Sequence, residues 1–190
     1  MDQGLNWSFA RAINGMAGHS ALLDRLGVFL ANDAVFLIVL GAATWWLLPF
    51  GSDAGKRAAL AAAAALIGGL VVAFVIAHLV QVPRPFVAHH VDLLIQHSAT
   101  DSSFPSDHAT ASFAVASTAL ARRMPWRWPL LIAAALVAIA RVYVGVHYPL
   151  DVIVGALIGT GFAIALWRLD ARIARPASFA IGVARRLRLG

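Results

Sequence analysis

The residues of this chain best suited to chemistry lie in two short stretches, Phe104-Pro105-Ser106-Asp107-His108 and Arg141-Val142-Tyr143-Val144-Gly145-Val146-His147-Tyr148-Pro149-Leu150-Asp151. In the second, Pro149 suits the first turn of a helix, and a His and an Asp four residues apart come within hydrogen-bond reach. His147 then has the makings of a nucleophile whose imidazole Asp151 orients and makes more basic. In the first stretch, Pro105 likewise reads as a helix start. Ser106, Asp107 and His108 would lie where unpaired backbone N–H groups and the helix dipole attract an anion. Arg84 and Arg141 offer fixed forks of donors to phosphate oxygens.

His108 titrates in the range useful to a general acid, which would protonate a departing oxygen. Ser106 caps its helix and can also donate to phosphate. Asp107 sits with Arg84, Ser106 and Arg141 at the phosphate end, where its carboxylate repels the anion unless it pairs with an arginine or tunes His108. A metal is the alternative, since His108, His147, Asp151 and Asp107 are ligands by type, but no tight His-Glu-x-x-His pattern occurs. His78, His89, His90 and His97 are assigned interfacial or supporting positions and no catalytic role.

These residues are set in an apolar chain. Of its 190 residues 61% are hydrophobic and 13% charged, with a mean hydropathy of +0.78, which excludes an ordinary soluble domain. Cysteine is absent, so disulfides and thiolate metal sites are excluded. The formal charge of +6 is spread between apolar spans without an aromatic-interleaved basic platform, which argues against nucleic acid as a partner. Met1 to Trp7 carries no positive leader or cleavage signal, so no removable signal peptide is expected.

The expected fold class is all-α, a polytopic transmembrane bundle of about five spans plus an N-terminal interfacial helix. Residues 1–31 form the amphipathic segment, interrupted at Asn14-Gly15. Spans are expected over 34–49, 58–80, 106–123, 128–145 and 150–167, with a non-spanning segment from Gln81 to Ser103 and a basic surface tail over 168–190. Gly155 and Gly159 match a small-residue packing motif, read as a contact inside the bundle.

With five spans, Lys56, Arg57, Arg122, Arg123, Arg127, Arg168, Arg172, Arg175, Arg185, Arg186 and Arg188 fall on one side, and Arg11, Arg25, Arg84 and Arg141 on the other. The positive-inside rule makes the first side cytoplasmic. Arg84, His108, Arg141, His147 and Asp151 then gather at the external side. Each ionisable group near the membrane interior costs about 2.5–3.5 kcal/mol on insertion scales, so their convergence calls for a function.

The chain resembles the type 2 phosphatidic acid phosphatase (PAP2) superfamily, whose motifs read Lys-x6-Arg-Pro, Pro-Ser-Gly-His and Ser-Arg-x5-His-x3-Asp. Here they stand as Ala77 to Arg84-Pro85, Pro105-Ser106-Asp107-His108, and Ala140-Arg141-x5-His147-x3-Asp151. Ala77, Asp107 and Ala140 replace the family's lysine, glycine and serine, and His78 adjoins the lost lysine. The stretches 83–89, 104–108 and 144–152, and the Phe9 to Gly18 region, are similar to undecaprenyl-diphosphate phosphatases of the bacitracin-resistance type.

That resemblance implies one phosphatase domain over 1–190 with a PAP2/haloperoxidase-like core and no metal or other cofactor. It implies that His147 attacks phosphorus to form a phosphohistidine, Asp151 orients it, His108 protonates the leaving group and later activates water, and Arg84, Ser106 and Arg141 hold the phosphate. The implied partners are a polyprenyl diphosphate and membrane lipids, at the outer face of a bacterial inner membrane with the C-terminus cytoplasmic. A phosphatase of another lipid phosphate, a transferase that resolves the phosphohistidine onto a second lipid, and a lipid-phosphate binding or transport protein are the alternatives. The last accounts for external arginines but not for the His147/Asp151 pair beside a second histidine.

Overall fold

Helix ends follow the local chemistry of the chain. A computed structural model describes residues 3–47, 53–170 and 181–183. Its helices are α1 (Gln3–Asn14), α2 (Ala21–Asn32), α3 (Ala34–Leu47), α4 (Asp53–Leu79), α5 (Pro85–Ala88), α6 (Asp107–Ala121), α7 (Arg127–Tyr143) and α8 (Pro149–Arg168). Pro149 opens α8 as expected, because a missing N–H costs nothing in a first turn. Pro105 does not open α6. Ser106 is its N-cap, with Oγ accepting from the Ala109 N–H at 3.5 Å, so the helix starts two residues later than the proline implied.

The N-terminal region breaks at Asn14-Gly15 into α1 and α2, as expected. What differs is that α2 continues into α3 through a bend of 51°, making the first expected span a bent pair. The end of that span at Pro49, Gly51 with Ser52 and most of the basic tail lie outside the described residues, and residues 53–57, expected as a loop, form the first turns of α4.

Among the described residues, α4 with 27 residues and α8 with 20 are long and apolar enough to cross a membrane, and α2 with α3 makes a third if taken as one span. α6 and α7, with 15 and 17 residues, fall short of the roughly 20 that a bilayer core asks for. The polar content of α6 has a physical reason. It is buried from Ala109 to Ala119 except at Phe113, packed against α8, α7 and α4, so its hydroxyls never meet lipid. Thr110 and Thr118 donate to carbonyls one turn back, and Ser117 bonds Thr160 at 2.9 Å. The lipid-facing surface comes from large exposed apolar side chains such as Phe36, Leu40, Ile67, Phe74, Ile139, Ile153 and Leu157. The chain is a membrane protein.

Small residues bring α6 and α8 together. A Cβ on Gly155 would lie 2.5 Å from the Ser106 carbonyl, and one on Gly159 would collide with the Thr110 carbonyl. The glycine motif is thus an internal contact, and backbone-to-backbone approach fixes how the starts of the two helices meet. There the Ser106 N–H donates to the Asp151 carbonyl at 3.1 Å. Both helices run away from this end, while α4 and α7 run toward it, so one end of the bundle collects Leu79, Tyr143 and two helix N-termini.

Candidate active site

At that end a cavity of about 360 Å³ opens between the end of α4, the 81–103 segment, the start of α6 and the α7–α8 turn. Arg84, Asp107, His108, Arg141 and His147, all expected site residues, line it together. Ser106 and Asp151 stand behind the wall, fully buried.

His147 is held by backbone. Its Nδ1 lies 2.8 Å from the Ser103 carbonyl, so Nδ1 carries the proton and donates, leaving Nε2 as the acceptor. Nε2 is 3.4 Å from Arg84 Nη1. The Asp151 carboxylate approaches Nδ1 only to 3.5 Å. It accepts instead from the Ser103 hydroxyl and from the Tyr148 N–H at 2.8 Å. Asp151 therefore acts on His147 chiefly through Ser103, whose hydroxyl it holds and whose carbonyl fixes the imidazole. Burial first, then the charges of Arg141 and Arg84, hold the His147 imidazole well below its ordinary value, so it is neutral at pH 7.

The two arginines are buried with neutral partners. Arg84 donates to the carbonyls of Val146 at 3.0 Å and Ser102 at 3.1 Å, and Arg141 to that of Ala31 at 3.2 Å. Both Nε atoms are buried without a hydrogen-bond partner. Asp107, expected either to pair with an arginine or to tune His108, makes no ion pair among the described residues and lines the cavity.

Sequence reasoning missed Ser103 altogether, because a backbone carbonyl leaves no signal in residue type. It also left α1 out of the site. Asn6 Oδ1 accepts from the Leu150 N–H at 3.0 Å, and Trp7 stacks on His89 with ring centres 3.8 Å apart. Buried Asn14 bonds the backbone of Asp92 and Tyr143. His78 and His97, assigned supporting positions, both line the cavity.

The chain as a whole has known relatives. Residues 58–175 match the family model of the PAP2 superfamily. The chain belongs to the PAP2 superfamily. Among its relatives, the undecaprenyl-diphosphatase BcrC of Bacillus subtilis (strain 168) is 39% identical over 81% of this chain and 78% of that protein. The putative undecaprenyl-diphosphatase YbjG of Escherichia coli (strain K12) is 36% identical over 84% of this chain and 79% of its own length. In three dimensions the chain is similar to Aquifex aeolicus LpxE, with a TM-score of 0.72, 27% identity, and coverage of 85% of this chain and 93% of that one. Of the three positions where the chain departs from the PAP2 motifs, Ala77 and Asp107 line the cavity, while Ala140 is buried in the apolar cluster around Tyr143 and Val144.

Proposed function

We propose that this PAP2 protein hydrolyses undecaprenyl diphosphate to undecaprenyl phosphate and inorganic phosphate, as one domain spanning the chain. The observation that carries this reading is the neutral His147, with Nδ1 committed to the Ser103 carbonyl and Nε2 beside the Arg84 guanidinium in a cavity Arg141 also lines. The names of the BcrC and YbjG relatives supply the lipid.

In the first step His147 Nε2 attacks the terminal phosphorus. The bond from that phosphorus to the bridging oxygen breaks, and His108 gives its proton to the departing lipid phosphate. Arg84 and Arg141 hold the equatorial oxygens, where charge accumulates, with the N-terminus of α6 capped by Ser106 adding its dipole. In the second step His108 takes a proton from water, the water oxygen bonds phosphorus, and the phosphorus–nitrogen bond breaks to release phosphate and restore neutral His147. The polyprenyl chain suits an apolar groove of about 400 Å³ on α4, lined by Ile67, Leu70, Val71 and Phe74, which shares Phe74 and Asp107 with the cavity. On this reading the cavity faces the outside of the inner membrane and the C-terminus the cytoplasm, an orientation that the positive-inside asymmetry of the basic residues supports.

The test is phosphate release from undecaprenyl diphosphate by purified protein in detergent with EDTA, beside His147→Ala and His108→Ala proteins of unchanged melting temperature. Release that both substitutions abolish is the expected result. Release that EDTA stops and a divalent ion restores would overturn the histidine mechanism. Retained lipid-phosphate binding without turnover would turn the reading to a binding or transport protein.

A further inference from the structure

His147 belongs to no helix. It stands in the turn between the end of α7 at Tyr143 and the start of α8 at Pro149, so the place of its Nε2 depends on whatever fixes that turn. α1 holds the turn at both ends. Before it, Asn14 Nδ2 donates to the Tyr143 carbonyl at 2.8 Å. Beyond it, Asn6 Oδ1 accepts from the Leu150 N–H at 3.0 Å, a first-turn donor for which α8 has no carbonyl of its own. The two asparagines are eight residues apart, about 12 Å along a helix. Between them Ala10 is buried in one cluster with Val142 and Tyr148, which flank the turn.

The middle of the turn is held from the same side. Asn14 Nδ2 also donates to the Asp92 carbonyl at 2.9 Å, and its Oδ1 accepts from the Asp92 N–H at 3.0 Å, so both ends of this buried amide are engaged. Gly145, with a φ of +85°, passes close beneath them: a Cβ there would lie 3.3 Å from Asn14 Nδ2 and 3.2 Å from the Asp92 carbonyl. The Leu94 N–H then reaches the Val144 carbonyl at 3.3 Å. A nucleophile must be held to roughly 0.5 Å and 10–20° of its productive line, and a misplacement of about 1 Å from a change far from the chemistry can cost about 10²-fold in rate. Asn6 and Asn14 stand where such a change would act, because they fix the two ends of the loop that carries His147.

We propose that α1 is a splint on the turn that carries His147, with Asn6 and Asn14 as positioning residues that set the line of attack of Nε2 on phosphorus. This rests on the phosphatase reading above. Neither asparagine lines the cavity, so each acts through His147 and its loss falls on kcat rather than on lipid binding.

The test is steady-state turnover of undecaprenyl diphosphate by the full chain in detergent, for wild type, Asn6→Ala, Asn6→Asp, Asn14→Ala and Asn14→Asp, each assayed well below its melting temperature. Both alanine variants should lower kcat about 10- to 100-fold with KM changed less than about threefold. Aspartate separates the two asparagines. At position 6 it keeps the acceptor for the Leu150 N–H and suits a helix N-terminus, so it should recover most of the loss. At position 14 it cannot give the two N–H bonds that the Tyr143 and Asp92 carbonyls receive, so kcat should stay as low as in Asn14→Ala. Variants that melt earlier but keep kcat within about threefold of wild type, or that raise KM with kcat kept, would overturn the splint while leaving the phosphatase reading intact. If the Asn14 variants do not fold, the Asn6 pair decides by the same criteria. A wild-type protein that releases no phosphate would overturn both.

Discussion

Arginines stand at both ends of the bundle, and their partners differ. At the far end Arg122 gives two hydrogen bonds to the Asp170 carboxylate, at 2.8 and 3.3 Å, and the pair closes on itself. At the cavity end Arg84 and Arg141 are more deeply buried, yet their partners are backbone carbonyls and, for Arg84, the neutral His147 ring, and among the described residues neither has a carboxylate within ion-pair distance. Removing a charge from water without a counter-ion costs several kcal/mol, so the second arrangement persists where an anion completes it. Partner type, more than residue type, separates a structural arginine from a binding one.

The strongest way to break this contrast is at His147, the proposed nucleophile beside the two guanidiniums. His147→Ala should lower kcat for phosphate release by about 10⁴-fold, since no other group can form the covalent intermediate. Next come the arginines. Arg84→Ala and Arg141→Ala should each lower kcat/KM about 10²- to 10³-fold, and Arg84→Lys, which keeps the charge but loses the fork, should recover only part of that. Steady-state kinetics on folded protein checks all three. A loss at Arg84 that lysine fully repairs would reduce the site to a point charge.

The pH profile sharpens the contrast, because uncompensated positive charge acts on His147 as well as on substrate. On the proposed mechanism the attacking imidazole must be neutral, so the acid limb of the profile is lost as pH falls through the pKa of His147, while loss of the proton on His108 sets the alkaline limb. Burial and the two guanidiniums lower the His147 pKa, so the acid limb of kcat/KM should lie below pH 6.5. Arg141→Gln removes one of the charges and should move the limb upward. The same shift makes the unfolded chain bind more protons than the folded one below about pH 6.5, so this group's contribution to stability falls as the medium is acidified.

What could be read beforehand was whatever side-chain type and spacing encode. The α8 start at Pro149, the Ser106 cap, the glycine seam on α8 and the convergence of Arg84, His108, Arg141 and His147 all rest on such patterns. What escaped rests on backbone or on distant segments. Ser103 acts on His147 through a carbonyl that any residue possesses, and Asn14 reaches the site only because α1 folds over it. The expected direct contact of Asp151 with His147 assumed helical geometry across Tyr148, but the helix begins at Pro149 and leaves His147 outside it. α6 reads as a short span with polar content, and what the pattern does not show is that its face from Ala109 to Ala119 is buried except at Phe113.

Smaller effects test the frame that holds the two ends apart. Gly159→Val must push against the Thr110 carbonyl and the Ala114 N–H, which a Cβ would approach to 2.7 Å, and should destabilise the protein by about 1–3 kcal/mol. Gly161→Ala meets nothing within 4 Å and should be neutral or slightly stabilising, since alanine is the better helix former. Melting in detergent separates them, and equal effects would show that the glycine seam does not set the helix approach.

The smallest effect belongs to the far-end pair. Asp170 is 46% exposed and Arg122 only 10%, so solvent screens one side of the bridge and its Coulomb energy is largely offset by the cost of fixing two side chains. A double-mutant cycle on Arg122→Ala and Asp170→Ala should give a coupling of about 0.2–1 kcal/mol, shrinking as salt is added, with kcat/KM within about twofold of wild type throughout. Arg122→Ala leaves no buried anion stranded, because Asp170 can turn to water. Arg84→Ala, by contrast, takes a donor from substrate and an electrostatic neighbour from His147 at once. A loss of turnover in Arg122→Ala comparable to that in Arg84→Ala would mean that the carboxylate-free setting of the cavity arginines is not what makes them functional.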